Sequence, residues 1–291
     1  MNGLLQGQYL CNIVINVRQY VASDMKHTTM KLKMYQADAF TDTLFRGNPA
    51  AVCMLNDWLP ETIMQAIAAE NNLAETAFLV AGEDGYYIRW FTPVVEVDLC
   101  GHATLAAAHI LFEHYSPEAT SICFYSQHSG ELHVSRDGDM LTLDFPADKP
   151  LQIPIPQELK DGLGIEPMEA LKGKTDIMAV LPTENDVLSL RPDFKMLGKL
   201  DARGIIVTAA GNEVDFVSRF FGPQSGIDED PVTGSAHTTL APYWGAELGK
   251  TELSAIQLSE RRGYLWCRLQ NDRVMISGKV VTYMEAEITV P

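Results

Sequence analysis

The sequence predicts an α+β fold in which two similar domains meet at a cleft. One observation is a repeat: Arg89-Trp-Phe-Thr-Pro93 and Arg219-Phe-Phe-Gly-Pro223 each lead through an acidic stretch to a glycine where a helix can begin. A second is the length, since a chain of 291 residues commonly divides into two hydrophobic cores. A third is that strand-like segments surround two apolar helices, which favours α+β domains over a doubly wound sheet.

The first half begins with a strand-like segment, and Arg46-Gly-Asn-Pro49 then has the composition of a turn. Pro60 suits the first turn of a helix, where its missing N–H costs nothing. The helix after Gly101 is apolar on every side, which is typical of a buried helix. The predicted elements are strands at 31–39 and 50–55, a helix ending near Asn72, strands at 75–80 and 86–91, and a helix over 103–115.

The second half repeats this pattern, with a second helix of small residues after Gly234. Its predicted elements are strands at 140–145 and 177–181, a polar helix over 191–200, and a strand at 204–208. We place the domains at 30–147 and 148–291, and the last strand can return to the first half. Regular patterning starts only at Lys31, so residues 1–29 are expected to be an extension from an upstream start, poorly ordered as free termini often are.

Composition excludes several classes of function. A net charge of −16 and the lack of clustered basic residues argue against a nucleic-acid partner. No glycine-rich phosphate loop occurs, and no apolar run reaches the roughly 20 residues that span a bilayer. The five cysteines include no C-x-x-C pair, which fits neither a disulfide framework nor a zinc ribbon and indicates the reducing cytoplasm. The histidines show no zinc-enzyme spacing, so we expect no metal.

Several motifs, taken in order, resemble those of the phenazine biosynthesis-like (PhzF-like) family. They are Phe45–Val52, Asn72–Phe78, Arg89–Pro93 with Cys100–Thr104, and Glu229–Ala236, and the likeness runs from about Lys31 to the C-terminus. The resemblance implies a diaminopimelate-epimerase-like fold, in which each domain is a curved, mostly antiparallel sheet or barrel around a central helix. It also implies a homodimeric, cofactor-independent isomerase that moves a proton within a small carboxylated metabolite.

By this resemblance the acid/base carboxylate falls on Glu75. The residue lies in an apolar stretch, where burial of an uncompensated charge raises the pKa of a carboxyl group. A raised pKa suits a group that takes and returns a proton near neutral pH. The alternative is a strand glutamate that faces solvent or pairs with Arg46 or Arg89.

The other candidates flank the two glycine turns. His102 follows Gly101 at a helix start, where N–H groups and an imidazole can hold a carboxylate or relay a proton. Asp230 and Ser235 hold the matching places beside Gly234, and simple helix capping is their alternative role. The resemblance assigns His102 and Asp230 to catalysis with Glu75, and Gly101, Gly234, Ser235 and Asn48 to substrate binding, although Gly-Asn-Pro is also ordinary turn chemistry.

Epimerases of this fold use one cysteine from each half as paired base and acid. Here Cys100 stands at the first position and Thr233 at the second, and a threonine hydroxyl cannot replace a thiolate without an activating base. Cys100 is therefore interpreted as a small buried residue. The hypothesis is isomerisation by Glu75, and the alternative is a non-catalytic protein on the same scaffold that binds a small ligand or another protein.

Overall fold

The computed structural model describes residues 29–291, and the predicted extension lies outside the described residues apart from residue 29. Residues 33–286 form one compact unit, which contains every site described below. Residues 29–32 and 287–291 belong to a second unit, in which Lys31 Nζ lies 3.3 Å from Glu287 Oε1. None of the helices in the described range is long and apolar enough to cross a membrane.

Strands and two helices alternate in the first half much as the sequence predicts. The strands are β1 (Met30–Ala39), β2 (Asn48–Leu55), β3 (Glu75–Ala81), β4 (Tyr86–Phe91), β5 (Glu96–Val97), β6 (Ser121–Ser126), β7 (Gly130–Asp137) and β8 (Met140–Pro146), and the helices are α1 (Glu61–Asn71) and α2 (Gly101–His114). Helix α1 stops at Asn72, which adopts a left-handed conformation at φ 50°. Eleven of the 14 residues of α2 are buried, so this helix is the predicted core helix.

The second half contains ten strands within the described residues. They are β9 (Leu151–Ile153), β10 (Glu169–Lys172), β11 (Ile177–Val180), β12 (Ile205–Ala210), β13 (Phe216–Gly222), β14 (Ile227–Asp230), β15 (Glu252–Gln257), β16 (Gly263–Gln270), β17 (Arg273–Gly278) and β18 (Val280–Val290). The helices are α3 (Gln157–Leu163), α4 (Glu184–Ser189), α5 (Phe194–Leu197) and α6 (His237–Leu248), with 3₁₀ turns at Pro223–Ser225 and Gly234–Ala236.

The predicted polar helix over 191–200 is wrong. Only Phe194–Leu197 is helical there, and a separate helix covers Glu184–Ser189. Pro192 keeps the preceding residue out of the helical region, and the side chain of Asp193 then caps the short helix by accepting from the backbone N–H groups of Lys195 and Met196.

The order of strand pairings repeats with an offset of nine strands. From β1 to β7, neighbours pair antiparallel (β1–β2), parallel (β2–β3), antiparallel (β3–β4 and β4–β5), parallel (β4–β6) and antiparallel (β6–β7). From β10 to β16 the same series recurs as β10–β11, β11–β12, β12–β13, β13–β14, β13–β15 and β15–β16. Antiparallel pairing dominates, so the pseudo-symmetric α+β fold is confirmed.

The two copies of the Arg-x-Phe-x-Pro motif form the same local structure. The guanidinium of Arg89 binds both carboxylate oxygens of Glu96 and lies 5.2 Å from the ring centre of Phe91. Arg219 binds both oxygens of Glu229 in the same way and lies 4.9 Å from the ring centre of Phe221, its neighbour two residues on. Each motif thus fixes a strand end just before a glycine turn.

The two sets of strands are joined where β8 and β17 pair antiparallel. Helices α2 and α6 contribute to one large hydrophobic core, and a smaller core lies around α3, α4 and α5. The division of the chain between residues 147 and 148 stays a prediction.

Candidate active site

One cavity of about 650 Å³ collects most of the predicted site residues. Its lining includes six of the seven candidates: Glu75, Gly101, His102, Asp230, Gly234 and Ser235. The seventh, Asn48, is fully buried and reaches the site through hydrogen bonds to two of the lining residues. Residues that are far apart in the sequence therefore converge as predicted.

The two glycine turns lie against each other in the lining of this cavity. A Cβ atom built on Gly101 would lie 3.8 Å from the Cα of Gly234, and the reverse distance is also 3.8 Å. Neither Cys100, which precedes α2, nor Thr233, which precedes the 3₁₀ turn leading into α6, makes a side-chain capping hydrogen bond. The first N–H groups of both helical segments therefore keep capacity to bind an anion.

Glu75 opens β3 and is paired with Ala50 of β2, which places its side chain beside the start of α2. The side chain is 12% exposed, and Oε2 lies 3.2 Å from Nε2 of His102. No hydrogen bond joins these two atoms, and Oε2 has no hydrogen-bond partner within the described chain. Glu75 thus holds a buried oxygen that is free to bind a ligand proton.

Burial raises the pKa of the Glu75 carboxyl to about 8; the negative charge of Asp230 adds to the rise, and a hydrogen bond with Cys100 opposes it. The alternative in which Glu75 pairs with an arginine is wrong: Arg89 pairs with Glu61 and Glu96, and over residues 29–291 neither Arg46 nor Arg89 forms an ion pair with Glu75. The raised pKa expected from the apolar sequence context is therefore matched by burial in the fold.

His102 lies between Glu75 and a buried amide. Its Nδ1 is 3.1 Å from Nδ2 of Asn48 and 3.5 Å from the Sγ of Cys100. Burial lowers the pKa of His102 to about 3, so the imidazole is neutral at physiological pH. A neutral ring carries one N–H, and if that proton is on Nε2, toward Glu75, Nδ1 is left to accept from the Cys100 thiol or from an Asn48 N–H that it shares with another acceptor.

Asn48 is the central link of the network. Its amide nitrogen donates to Oδ1 of Asp230 and to the backbone oxygen of Val232, both at 2.8 Å, in addition to the contact with His102. Both partner atoms are oxygens that accept hydrogen bonds, so the amide nitrogen and not the amide oxygen must point toward them. Asn48 thereby ties the end of β14 to the start of α2.

Asp230 is the second buried carboxyl group of the site. It also accepts a hydrogen bond from the Thr233 hydroxyl, and its backbone oxygen accepts from Gln257. Burial raises the pKa of Asp230 to about 6, although the bonds from Thr233 and Asn48 oppose the rise. Two carboxyls whose pKa values lie near neutrality can divide the roles of proton donor and proton acceptor.

Sequence reasoning missed the residues that hold Ser235. The Ser235 hydroxyl accepts from Nη2 of Arg203 at 3.1 Å, and Arg203 binds both oxygens of Asp176. Asp176 and Arg203 come just before β11 and β12, which are parallel neighbours, so their side chains meet at the same sheet edge. The signal available in the sequence was an aspartate, Asp176, directly before an apolar strand.

Cys100 is buried, as its interpretation as a small core residue requires. Burial and the nearby Glu75 raise the pKa of its thiol well above the ordinary range, which keeps it uncharged. Ligand atoms of Glu75, Cys100 and His102 all lie within 4.8 Å of one another, so these three residues could hold a metal ion. Any such ion would bind Cys100 as the thiolate, the form that metals coordinate.

The comparisons with known proteins show the family of the chain. The model of the phenazine biosynthesis-like protein family matches residues 37–286. An uncharacterized isomerase of Pseudomonas aeruginosa is 51% identical over 259 residues, which cover 89% of this chain and 99% of that protein. A crystal structure of a PhzF family protein from Enterococcus faecalis is 49% identical, with a TM-score of 0.87 and coverage of 89% of this chain and 99% of that one.

The fold is shared more widely. A hydroxyproline epimerase from Agrobacterium vitis superposes with a TM-score of 0.60 at 10% identity, over 89% of this chain and 93% of the epimerase. Curated relatives of the chain are named isomerases, and its fold class is one that an epimerase shares. Within that class, the chain belongs to the phenazine biosynthesis-like family, as its motifs predicted.

Proposed function

We propose that the protein moves a proton between two positions of a small carboxylate-bearing metabolite, with Glu75 as the general acid and base. The observation that supports this most directly is the Glu75 carboxyl itself: it is buried in the cavity wall, its Oε2 lacks a hydrogen-bond partner in the described chain, and its pKa is raised to about 8. Such a carboxyl is costly to retain in a site that only binds.

The proton balance needs no second reactant. The ionised form of Glu75 removes a proton from an activated carbon, and the electron pair of the broken C–H bond moves into the adjacent unsaturated system. The same carboxyl, now protonated, returns the proton to another carbon of the molecule. A pKa close to the working pH keeps both forms accessible, which favours a group with this double role.

The paired helix starts support the binding of the substrate carboxylate. Uncapped N–H groups at Gly101 and Gly234 carry partial positive charge and can donate to its oxygens. Ser235 adds a hydroxyl, and the guanidinium of Arg203 lies directly behind it. The same dipoles would stabilise negative charge that develops as the proton leaves carbon.

His102 and Asp230 are assigned supporting roles. The neutral imidazole of His102 lies 3.2 Å from Glu75 and can orient the carboxyl or pass a proton to it. Asp230 shares the amide of Asn48 with His102, and its carboxyl can accept a hydrogen bond from a polar group of the substrate. Both residues raise the selectivity of the cavity for a molecule that carries a donor as well as a carboxylate.

The test is proton exchange in deuterated water. A panel of small unsaturated carboxylic acids is incubated with the native protein, Glu75→Gln and Glu70→Gln, and deuterium incorporation at carbon is followed by NMR. Glu70 is exposed on α1 and does not line the cavity, so the matched control removes one charge outside the site. We expect incorporation with the native protein and the control, and none with Glu75→Gln.

Equal incorporation by all three proteins would remove Glu75 from the mechanism. The alternative function, a non-catalytic binding protein, gives a different result. An acid would then raise the melting temperature of the native protein without any exchange at carbon, and Glu75→Gln would retain that stabilisation.

A further inference from the structure

A second cavity, of about 840 Å³, is lined by five arginines and shares no residue with the candidate active site. We call it the arginine cavity and define it by Arg46, Arg191, Arg219, Arg261 and Arg262. The whole chain has 22 basic residues against 38 acidic ones, so a concentration of this kind runs against the charge of the protein. Only Glu229 and Glu260 add acidic side chains to the lining.

Two of the arginines build the frame of the cavity. Arg219 is buried, binds both oxygens of Glu229, and also donates to the backbone oxygens of Val187 and Leu190. Arg261 donates to Oδ1 of Asp38 at 2.8 Å and to the backbone oxygens of Arg46 and Gly47 at 2.9 Å. Their charges are neutralised by Glu229 and Asp38, so these two arginines hold the walls together.

The other three arginines have no carboxylate partner among residues 29–291. Nη1 of Arg46 donates to the backbone oxygen of Glu260 at 3.2 Å, and Nη1 of Arg191 donates to that of Leu190 at 2.8 Å. Arg46, Arg191 and Arg262 are all exposed. Three guanidinium groups therefore border one cavity with most of their donor capacity unused.

The backbone that carries Arg262 is held in an unusual conformation. Its φ is 55°, in the left-handed region that residues with a side chain seldom adopt. Its N–H donates to the Ser259 hydroxyl, and its carbonyl oxygen accepts from the N–H of Gly47 at 2.7 Å. The fold thus presents Arg262 from a fixed position on the same loop pair that carries Arg46.

We propose that the arginine cavity binds a phosphate-bearing small molecule. Guanidinium groups match the oxygens of a phosphate in pairs. Within the described chain, three arginines without a carboxylate partner, against the one unpaired carboxylate of Glu260, leave an excess of two positive charges, which calls for a ligand with more than one negative charge. The remaining wall includes the side chains of Leu188, Leu258 and Tyr264, which can pack against the organic part of such a molecule. A single carboxylate carries only one negative charge and would leave part of the positive charge of the cavity unpaired.

This ligand is distinct from the isomerase substrate. The two cavities have separate linings, although they are carried by neighbouring residues: Arg46 is two residues before Asn48, and Glu229 directly precedes Asp230. The proposal therefore stands apart from the proposed function, and binding there leaves Glu75 and His102 accessible in their own cavity.

Calorimetric titration with pyrophosphate tests the proposal, with native protein, Arg46→Gln, Arg191→Gln and Arg262→Gln. The control is Arg268→Gln, an exposed arginine of β16 outside the cavity that loses the same charge. We expect saturable binding to the native protein, roughly tenfold weaker binding for each cavity variant, and no change for the control. The three cavity residues are exposed, so circular dichroism should show native folding throughout.

Three results would overturn the proposal. The first is that no binding occurs at millimolar pyrophosphate and low salt. The second is that Arg268→Gln weakens pyrophosphate binding as much as the cavity variants do, which would indicate a general effect of charge. The third is binding that survives all three cavity variants but is lost in Ser235→Ala, because the anion would then lie in the active-site cleft. Malonate serves as the carboxylate arm, and affinity equal to that of pyrophosphate would refute the assignment to phosphate.

Discussion

Glu75→Gln should change how the stability of the protein depends on pH. Burial raises the pKa of this carboxyl from 4.5 to about 8 in the folded protein. Between these values the folded chain keeps a proton that the unfolded chain has released, so the native protein loses stability as the pH rises through this window. Glutamine does not titrate, so Glu75→Gln does not show this loss of stability.

The size of the effect follows from the pKa change. A rise from 4.5 to about 8, at about 1.4 kcal/mol for each pH unit, corresponds to about 5 kcal/mol once Glu75 is fully ionised. The free energy of unfolding of Glu75→Gln minus that of the native protein should therefore grow by about 1.4 kcal/mol per unit from pH 5 and level off above pH 8. Any difference in hydrogen bonding between the two side chains adds a constant and leaves this slope unchanged.

Urea unfolding at each pH from 5 to 9 measures the difference, with the free energy taken by linear extrapolation. Glu70→Gln, the exposed match, is run in parallel to account for the loss of a charge. Parallel curves for the native protein and Glu75→Gln would mean that the carboxyl titrates in the folded state as it does in the unfolded state. The reasoning that makes Glu75 an acid/base group would then fail.

Three further predictions concern the same site. In any proton exchange that the native protein catalyses, kcat/KM should rise with pH to a plateau above about 8, because the carboxylate form of Glu75 removes the proton. A flat profile of kcat/KM from pH 6 to 9 would contradict this. Gly101→Ala should fold normally, since the added Cβ would meet the Phe145 ring at 3.7 Å, an ordinary van der Waals distance. Its turnover should nevertheless fall roughly 100-fold, because the methyl group would occupy the space of the substrate carboxylate. Full activity would show that no ligand approaches the backbone there. Asn48→Ala should lower the free energy of unfolding in urea by about 1–3 kcal/mol, because Oδ1 of Asp230 and the backbone oxygen of Val232 both lose their buried donor, and an unchanged midpoint would refute the role of Asn48 in the network.

Local patterns in the sequence predicted much of this structure. The strands at both ends of the Arg46-Gly-Asn-Pro49 turn, the buried helix after Gly101 and the helix after Gly234 all form, because turn chemistry and apolar periodicity act over a few residues. The repeated Arg-x-Phe-x-Pro motif also proved to be structural, since Arg89 and Arg219 make matching contacts. The error at 191–200 has a local cause as well: Pro192 breaks a segment whose composition otherwise favours a helix.

The sequence by itself therefore determined the family, the pseudo-symmetric α+β fold and the identity of the candidate residues, since each depends on short motifs or on their order along the chain. Only the tertiary structure decided which groups meet. Glu75 lies beside His102 and away from both arginines proposed as partners, and Asn48 binds Asp230 across 182 positions of sequence. No motif marked the pair of Asp176 and Arg203, and no motif joined the five arginines of the arginine cavity into one site. The physical reason is that strand register sets these distances and burial sets these pKa values. Both depend on contacts between segments far apart in the sequence, which local sequence patterns do not reveal.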